Sequence, residues 1–145
     1  MVEFDEIAIR NEFIAHIQEV FAKEYDLIGS EVEVAPRESQ EATYPCCLVN
    51  LIEPVSAERY SDSDGTFNYI NFSLNCDLYS NKINDFSLDD SIIKLSQILI
   101  KGILEKYSNL VVTRNNLVPF RTDILRRTVT FRCTYDNKNK IIYSN

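Results

Sequence analysis

This sequence predicts an α+β fold, a mostly antiparallel β-sheet with two main α-helices packed on one of its faces. Three observations predict it. Apolar residues recur at helical spacing near residues 4–25 and again near 87–107. Apolar and polar residues alternate with period two near 67–79 and 125–135. The order of elements is helix, strands, helix, strands. No repeat, low-complexity tract or linker divides the chain, so residues 1–145 are read as a single domain.

The first helix is expected from about Phe4 to Tyr25, with Ile7, Phe13, Ile14, Ile17, Val20 and Phe21 on its apolar side. Glu3, Asp5 and Glu6 put negative charge at its positive end, and Gly29 is a natural stop. His16 falls at the border of the apolar stripe. Residues 30–45 are polar and read as a loop holding a short strand at Val32–Val34. The run Cys46–Ile52 reads as a buried strand, which Pro54 ends or marks as an edge.

A loop over 56–66 then leads into the clearest strand of the chain. There Ile70, Phe72, Leu74, Cys76 and Leu78 alternate with Tyr69, Asn71, Ser73, Asn75, Asp77 and Tyr79. Its length predicts a strand that reaches beyond its own domain. Ser87 caps the second helix, whose apolar side runs Leu88, Ile92, Leu95, Leu99, Ile103, Leu104. Gly102 inside that helix predicts a close approach to the sheet. Leu110–Thr113 is expected as a short strand and Arg114–Asp123 as a loop. In the strand over 125–135, Val129, Phe131, Cys133 and Tyr135 point inward and Arg126, Thr128, Thr130, Arg132 and Thr134 outward. A turn over Asp136–Asn139 and a last short strand follow.

Charge is uneven. The net charge is −7, yet residues 1–72 hold 15 acidic and 4 basic residues, whereas residues 73–145 hold 7 acidic and 11 basic. An acidic chain is a poor nonspecific ligand for nucleic acid, and none is expected as a partner. If the halves separate in space, one copy's basic surface can meet another's acidic surface head to tail, a contact that closes into a ring when the rotation fits. If they intermix, no such dipolar surface exists.

The sequence offers few parts for catalysis. His16 is the only histidine, so a Ser–His or Cys–His pair would depend on it alone. Three glycines, at 29, 65 and 102, make neither GxGxxG nor a P-loop. Cys46, Cys47, Cys76 and Cys133 have no CxxC spacing and are expected as reduced, buried thiols. Asp62-Ser-Asp-Gly65 is better read as a turn before a strand than as a calcium loop, because Tyr60 and Asn71 break the EF-hand pattern. Asp89 and Asp90 suit the first turn of a helix rather than paired-acid chemistry. No metal, cofactor or enzymatic activity is expected. The acidic start lacks the basic and apolar regions of a signal peptide, and no apolar run approaches the ~20 residues of a membrane helix. The expectation is a cytosolic protein.

Several of these segments, taken together, resemble phage tail terminator (tail completion) proteins. They are the early helix, Thr43-Tyr-Pro45 before the Cys46–Ile52 strand, the long strand Phe67–Tyr79 ending Leu78-Tyr-Ser80, the Asp90–Tyr107 helix, Val118-Pro-Phe120, and the late strand Arg126–Arg132. The resemblance spans roughly residues 4–143 and is one of pattern, since the family has no catalytic signature to match. It implies copies joined in a ring, commonly a hexamer, that sits on the last ring of the tail tube and stops its growth. Such a ring offers a surface to the head connector and, in contractile tails, meets the last sheath ring. Its setting would be the bacterial host cytoplasm and then a virion or phage-tail-like particle.

On this reading the candidate subunit interface is Asn71, Asn75, Asp77, Arg126, Thr128, Thr130 and Arg132, the arginines meeting carboxylates of the next copy. The candidate contact with tube or connector is Arg59, Tyr60, Asp62 and Asp64. Two other readings remain open: a different head–tail joining protein of the neck, and a small ligand-binding or enzymatic α+β domain with a deep polar pocket.

Overall fold

A computed structural model describes residues 5–36, 43–57, 69–136 and 141–143. The chain forms α1 (Glu6–Lys23), α2 (Tyr25–Ile28), β1 (Glu33–Ala35), β2 (Cys46–Ala57), β3 (Tyr69–Ser80), α3 (Leu88–Lys106), β4 (Val111–Val118), β5 (Leu125–Asp136) and β6 (Ile141–Tyr143). The strands make one sheet in the order β1-β2-β3-β5-β4, with β6 on the remaining length of β5. Among the described strands only the β1–β2 pair is parallel. The α+β class is therefore as expected, with α1 packed over β1 and β2 and α3 over β3 and β5.

Local chemistry sets the helix ends. Asp5 caps α1 by accepting from the Ala8 amide at 3.0 Å, and Ser87 caps α3 by accepting from the Asp90 amide at 3.1 Å. Asp89 and Asp90 lie in the first turn of α3, as the sequence indicates. The first helix breaks at Glu24 instead of running to Tyr25, and α2 then ends at Gly29, whose φ of 82° needs a residue without Cβ.

The core lies between the helices and one sheet face. Phe13 and Ile17 of α1 and Leu95, Leu99 and Ile103 of α3 pack on Leu74, Cys76 and Leu78 of β3 and on Val129, Phe131 and Cys133 of β5. The α1 stripe that goes inside is Ile9, Phe13, Ile17 and Phe21. Ile7 is not part of it and is 62% exposed, because it sits on a different side of the helix from this i, i+4 row. The loop after β3 is tied to α3 by Ser91, fully buried, whose hydroxyl accepts from the Ile83 amide at 2.8 Å and donates to the Ser87 carbonyl at 2.7 Å. Ser91→Ala leaves a buried amide unpaired, so chemical denaturation should show a loss of about 1–2 kcal/mol.

Four sequence expectations are corrected. Pro54 does not end the strand from Cys46, which continues to Ala57 through a register shift between Ile52 and Ser56; the edge alternative fits, because β1 pairs with β2 only as far as Leu48. Among the described residues the long strand β3 does not reach beyond the domain. Its whole length from Tyr69 to Ser80 pairs with β5, and β2 covers most of its other edge. Residues 114–118 are not loop; they continue β4, whose register shifts between Val112 and Arg114. Gly102 faces α1, not the sheet. A Cβ there would stand 2.4 Å and 2.5 Å from the two methyl carbons of Val20, so the glycine lets the two helices touch. Ser56 and Ala57 close β2, and the rest of the expected 56–66 loop, with the turn after Asp136, lies outside the described residues apart from Asp136 itself, which ends β5.

Candidate functional site

The sheet face opposite the helices carries the polar side chains of β3 and β5, as their alternation requires. The register sets five residues of this face of β3 opposite a hydroxyl or arginine of β5: Asn71 opposite Thr134, Ser73 opposite Arg132, Asn75 opposite Thr130, Asp77 opposite Thr128, Tyr79 opposite Arg126. Donors then meet acceptors across the strands. The Thr134 hydroxyl donates to Asn71 Oδ1 at 2.8 Å and the Thr130 hydroxyl to Asn75 Oδ1 at 2.9 Å. The Thr128 hydroxyl donates to Asp77 Oδ1 at 2.6 Å, Arg126 Nη2 donates to the same oxygen at 3.2 Å, and Asn75 Nδ2 donates to Asp77 Oδ2 at 3.1 Å. The Arg126 guanidinium also lies 5.5 Å from the centre of the Tyr79 ring.

This ladder locates the expected interface residues. Six of the seven, Asn71, Asn75, Asp77, Arg126, Thr128 and Thr130, bond one another or Thr134 inside the subunit. Thr128 and Thr130 are only 3% and 7% exposed. Arg132 alone among the seven is exposed. The two outward arginines do share a face, and Arg127 points the other way, donating from Nε to Asn115 Oδ1 at 2.7 Å. The other expected contact, Arg59, Tyr60, Asp62 and Asp64, lies outside the described residues.

The two lateral ends of the sheet differ in charge. Residues 5–36, which form α1, α2 and β1, hold eight acidic and two basic residues. Residues 111–136, which form β4 and β5, hold five arginines and two aspartates. Since β1 and β4 are the two ends of the strand order, the described parts of the two sequence halves lie toward opposite ends of the sheet, one acidic and one basic.

Among the described residues, two exposed large apolar residues, Ile52 (37% exposed) of β2 and Ile93 (40%) of α3, belong to neither end, and the other five sort to the two ends. Ile7 (62% exposed) and Tyr25 (50%) belong to α1 and α2; Val111 (40%), Leu117 (51%) and Phe120 (43%) belong to β4 and the turn after it. Sequence reasoning missed all five as surface residues. For Ile7 the signal was available, since it is out of step with the row at 9, 13, 17 and 21. For Leu117 it was not, because the irregularity at 112–114 hides the strand.

The edges also differ in form. β1 has three residues, and the outer side is partly closed where Gln18 Nε2 of α1 donates to the Val34 carbonyl at 3.3 Å. β4 has eight residues, and among the described strands only β5 pairs with it. Short and blocked strands are unreceptive edges, whereas long open ones attract partners.

Between α1 and α3 runs a groove of about 430 Å³ whose lining includes Val20, Lys23, Ile98 and Lys101. His16 lies in its wall, half-buried as its border position implies, and its Nε2 donates to the Gly102 carbonyl at 2.8 Å. Tyr107 stands edge-on to the His16 ring and donates to Glu12 Oε1 at 3.0 Å. Burial, then the neighbouring Glu12 carboxylate, pushes the Tyr107 phenol well above its usual range. These groups lock the helices together.

All four cysteines are free thiols and buried. Burial pushes Cys133 up to about 12, and the bonded Cys76 thiol together with burial holds Cys47 well above the usual range, so both stay protonated and unreactive. Among the described residues no group of histidine, cysteine, aspartate or glutamate is placed to hold a metal ion, and no helix is long and apolar enough to cross a membrane. No protein-family model matches the chain, and no curated protein is found to be similar to it.

Proposed function

We propose that this is a structural assembly protein whose copies join head to tail into a closed ring, a hexamer by the resemblance described above, and that the ring caps the end of a phage or phage-like tail tube. In that role it stops tube growth and presents a joining surface to the head connector; in a contractile tail it also meets the last sheath ring. The protein would act in the bacterial host cytoplasm and remain in the finished particle.

One observation carries the reading: the sheet ends in an acidic, blocked edge on one side and a basic, open edge on the other. Two unlike surfaces at opposite ends of one subunit are what a heterologous contact needs, and such contacts close into a ring when the rotation fits. The resemblance supplies the tube as the object capped. The docking role first expected of the polar sheet face passes to the ends, because that face spends its hydrogen bonds within the subunit.

The test is growth of tail tubes from purified tube protein, followed by negative-stain microscopy. With this protein added, tubes should be shorter and bear a ring at one end. Tubes of unchanged length with bare ends would sink the proposal.

A further inference from the structure

We infer that the ring contact is made by the open edge of β4 in one copy seated against the lateral surface of α1 and α2 in the next. This rests on the assembly reading and specifies the surfaces it uses.

The basic side is built around β4. Val111 and Leu117 are exposed on opposite faces of this edge, as their register partners Arg132 and Arg127 require, and Arg114 lies between them along the strand, bonded among the described residues to Asn116 of the same strand at 2.8 Å. Arg132, opposite Val111 in the register, is exposed beside that end of the strand. The acidic side is built on α1. Ile7 and Gln18 are eleven positions apart, three helical turns, so they share one side of the helix. The Gln18 bond to Val34 places that side over β1, at the end of the sheet. Ile7 is therefore exposed laterally, and Tyr25, Asp26 and Glu31 follow as exposed residues of α2 and the segment leading into β1.

Each end thus carries two exposed large apolar groups, and the elements around them are net acidic at one end and net basic at the other, although Arg10 stands one turn from Ile7. Protein interfaces are commonly built as apolar anchors within a polar rim, with complementary charge fixing partner and orientation. The occupant that fits the β4 surface is a second copy of this chain, because the matching acidic surface is on the chain itself, at the opposite end of the sheet. A two-fold contact of β4 with β4 would set arginine clusters against each other and is disfavoured by charge.

Two variants test this. One carries Arg114→Glu and Arg132→Glu, reversing the basic end. The other carries Ile7→Asp and Tyr25→Asp, breaking the anchors of the acidic end. All four side chains are exposed, so melting temperatures should match wild type; a shared loss of folding would be detected there, and Arg114→Ala with Leu117→Ser would then replace the first variant. Mass is read by light scattering. Wild type should form a closed oligomer and each variant alone a monomer. An equimolar mixture should give a species of two chains and nothing larger, since only one native contact can form.

Variants that assemble like wild type would overturn the inference and leave the assembly reading standing. Assembly of the Ile7–Tyr25 variant alone would show a two-fold contact of basic ends and overturn it too. A wild-type protein that is monomeric yet caps tubes would also refute the contact without refuting the function. A monomer that ignores tubes would refute both.

Discussion

Replacing Asp77 with alanine is expected to destabilise the protein by about 2–4 kcal/mol, read as a lower urea midpoint at unchanged slope. Asp77 is the centre of the polar ladder. Its side chain is 16% exposed, and its two oxygens take three donors, from Thr128, Arg126 and Asn75. Truncation leaves the buried Thr128 hydroxyl without this acceptor. It also strips the carboxylate from a guanidinium that is 31% exposed and whose buried Nε already lacks a hydrogen-bond partner. Breaking a partly buried pair from one side costs more than the pair itself contributes, because the remaining charge keeps its desolvation penalty. Asp77→Asn retains an acceptor oxygen and should lose roughly half as much. If alanine and asparagine were both within about 0.5 kcal/mol of wild type, the ladder would be a solvated surface and not a structural element.

Gly102→Ala is expected to cost about 1–3 kcal/mol, and its sign is the informative part. In an open helix position this change would stabilise by about 1 kcal/mol through helix propensity. Here the new Cβ would meet both methyl groups of Val20, at 2.4 Å and 2.5 Å, so α1 and α3 must separate. Separation also stretches the 2.8 Å bond from His16 Nε2 to the Gly102 carbonyl. A fall of several degrees in melting temperature should result. Val20→Ala combined with Gly102→Ala should recover at least about 1 kcal/mol relative to the sum of the single changes, the non-additivity expected of residues in contact. A stabilised Gly102→Ala protein would mean that the helices do not touch at this point.

The elements with an unbroken period were legible in the sequence. β3 and β5 alternate without interruption, and α3 repeats its apolar residues at three and four positions, so their inward faces read directly. β4 was not legible as a whole. It is exposed over most of its length, and the irregularity between Val112 and Arg114 breaks what alternation it has. A glycine inside a helix announces close packing, but the sequence does not say which neighbour is close, and the sheet was the wrong choice for Gly102. The outward direction of Asn71, Asn75, Asp77, Thr128 and Thr130 was readable. Their mutual bonding was not, because it depends on strand register, which pairs residues more than fifty positions apart. The charge asymmetry was plain in the sequence, yet its meaning waited on strand order. Had β1 inserted beside β4, the same charges would have neutralised one another within the subunit.

That strand order also makes assembly sensitive to salt. Exposed charges interact over about 8 Å at physiological ionic strength, and the range shrinks as salt is added. Native mass spectrometry and sedimentation of the wild-type protein at low and high salt therefore reach the basic-to-acidic contact directly. A single closed multiple of the chain mass at low salt, dissociating toward monomer as salt rises, is the result that head-to-tail joining predicts. A lone chain at every concentration and salt level would contradict it.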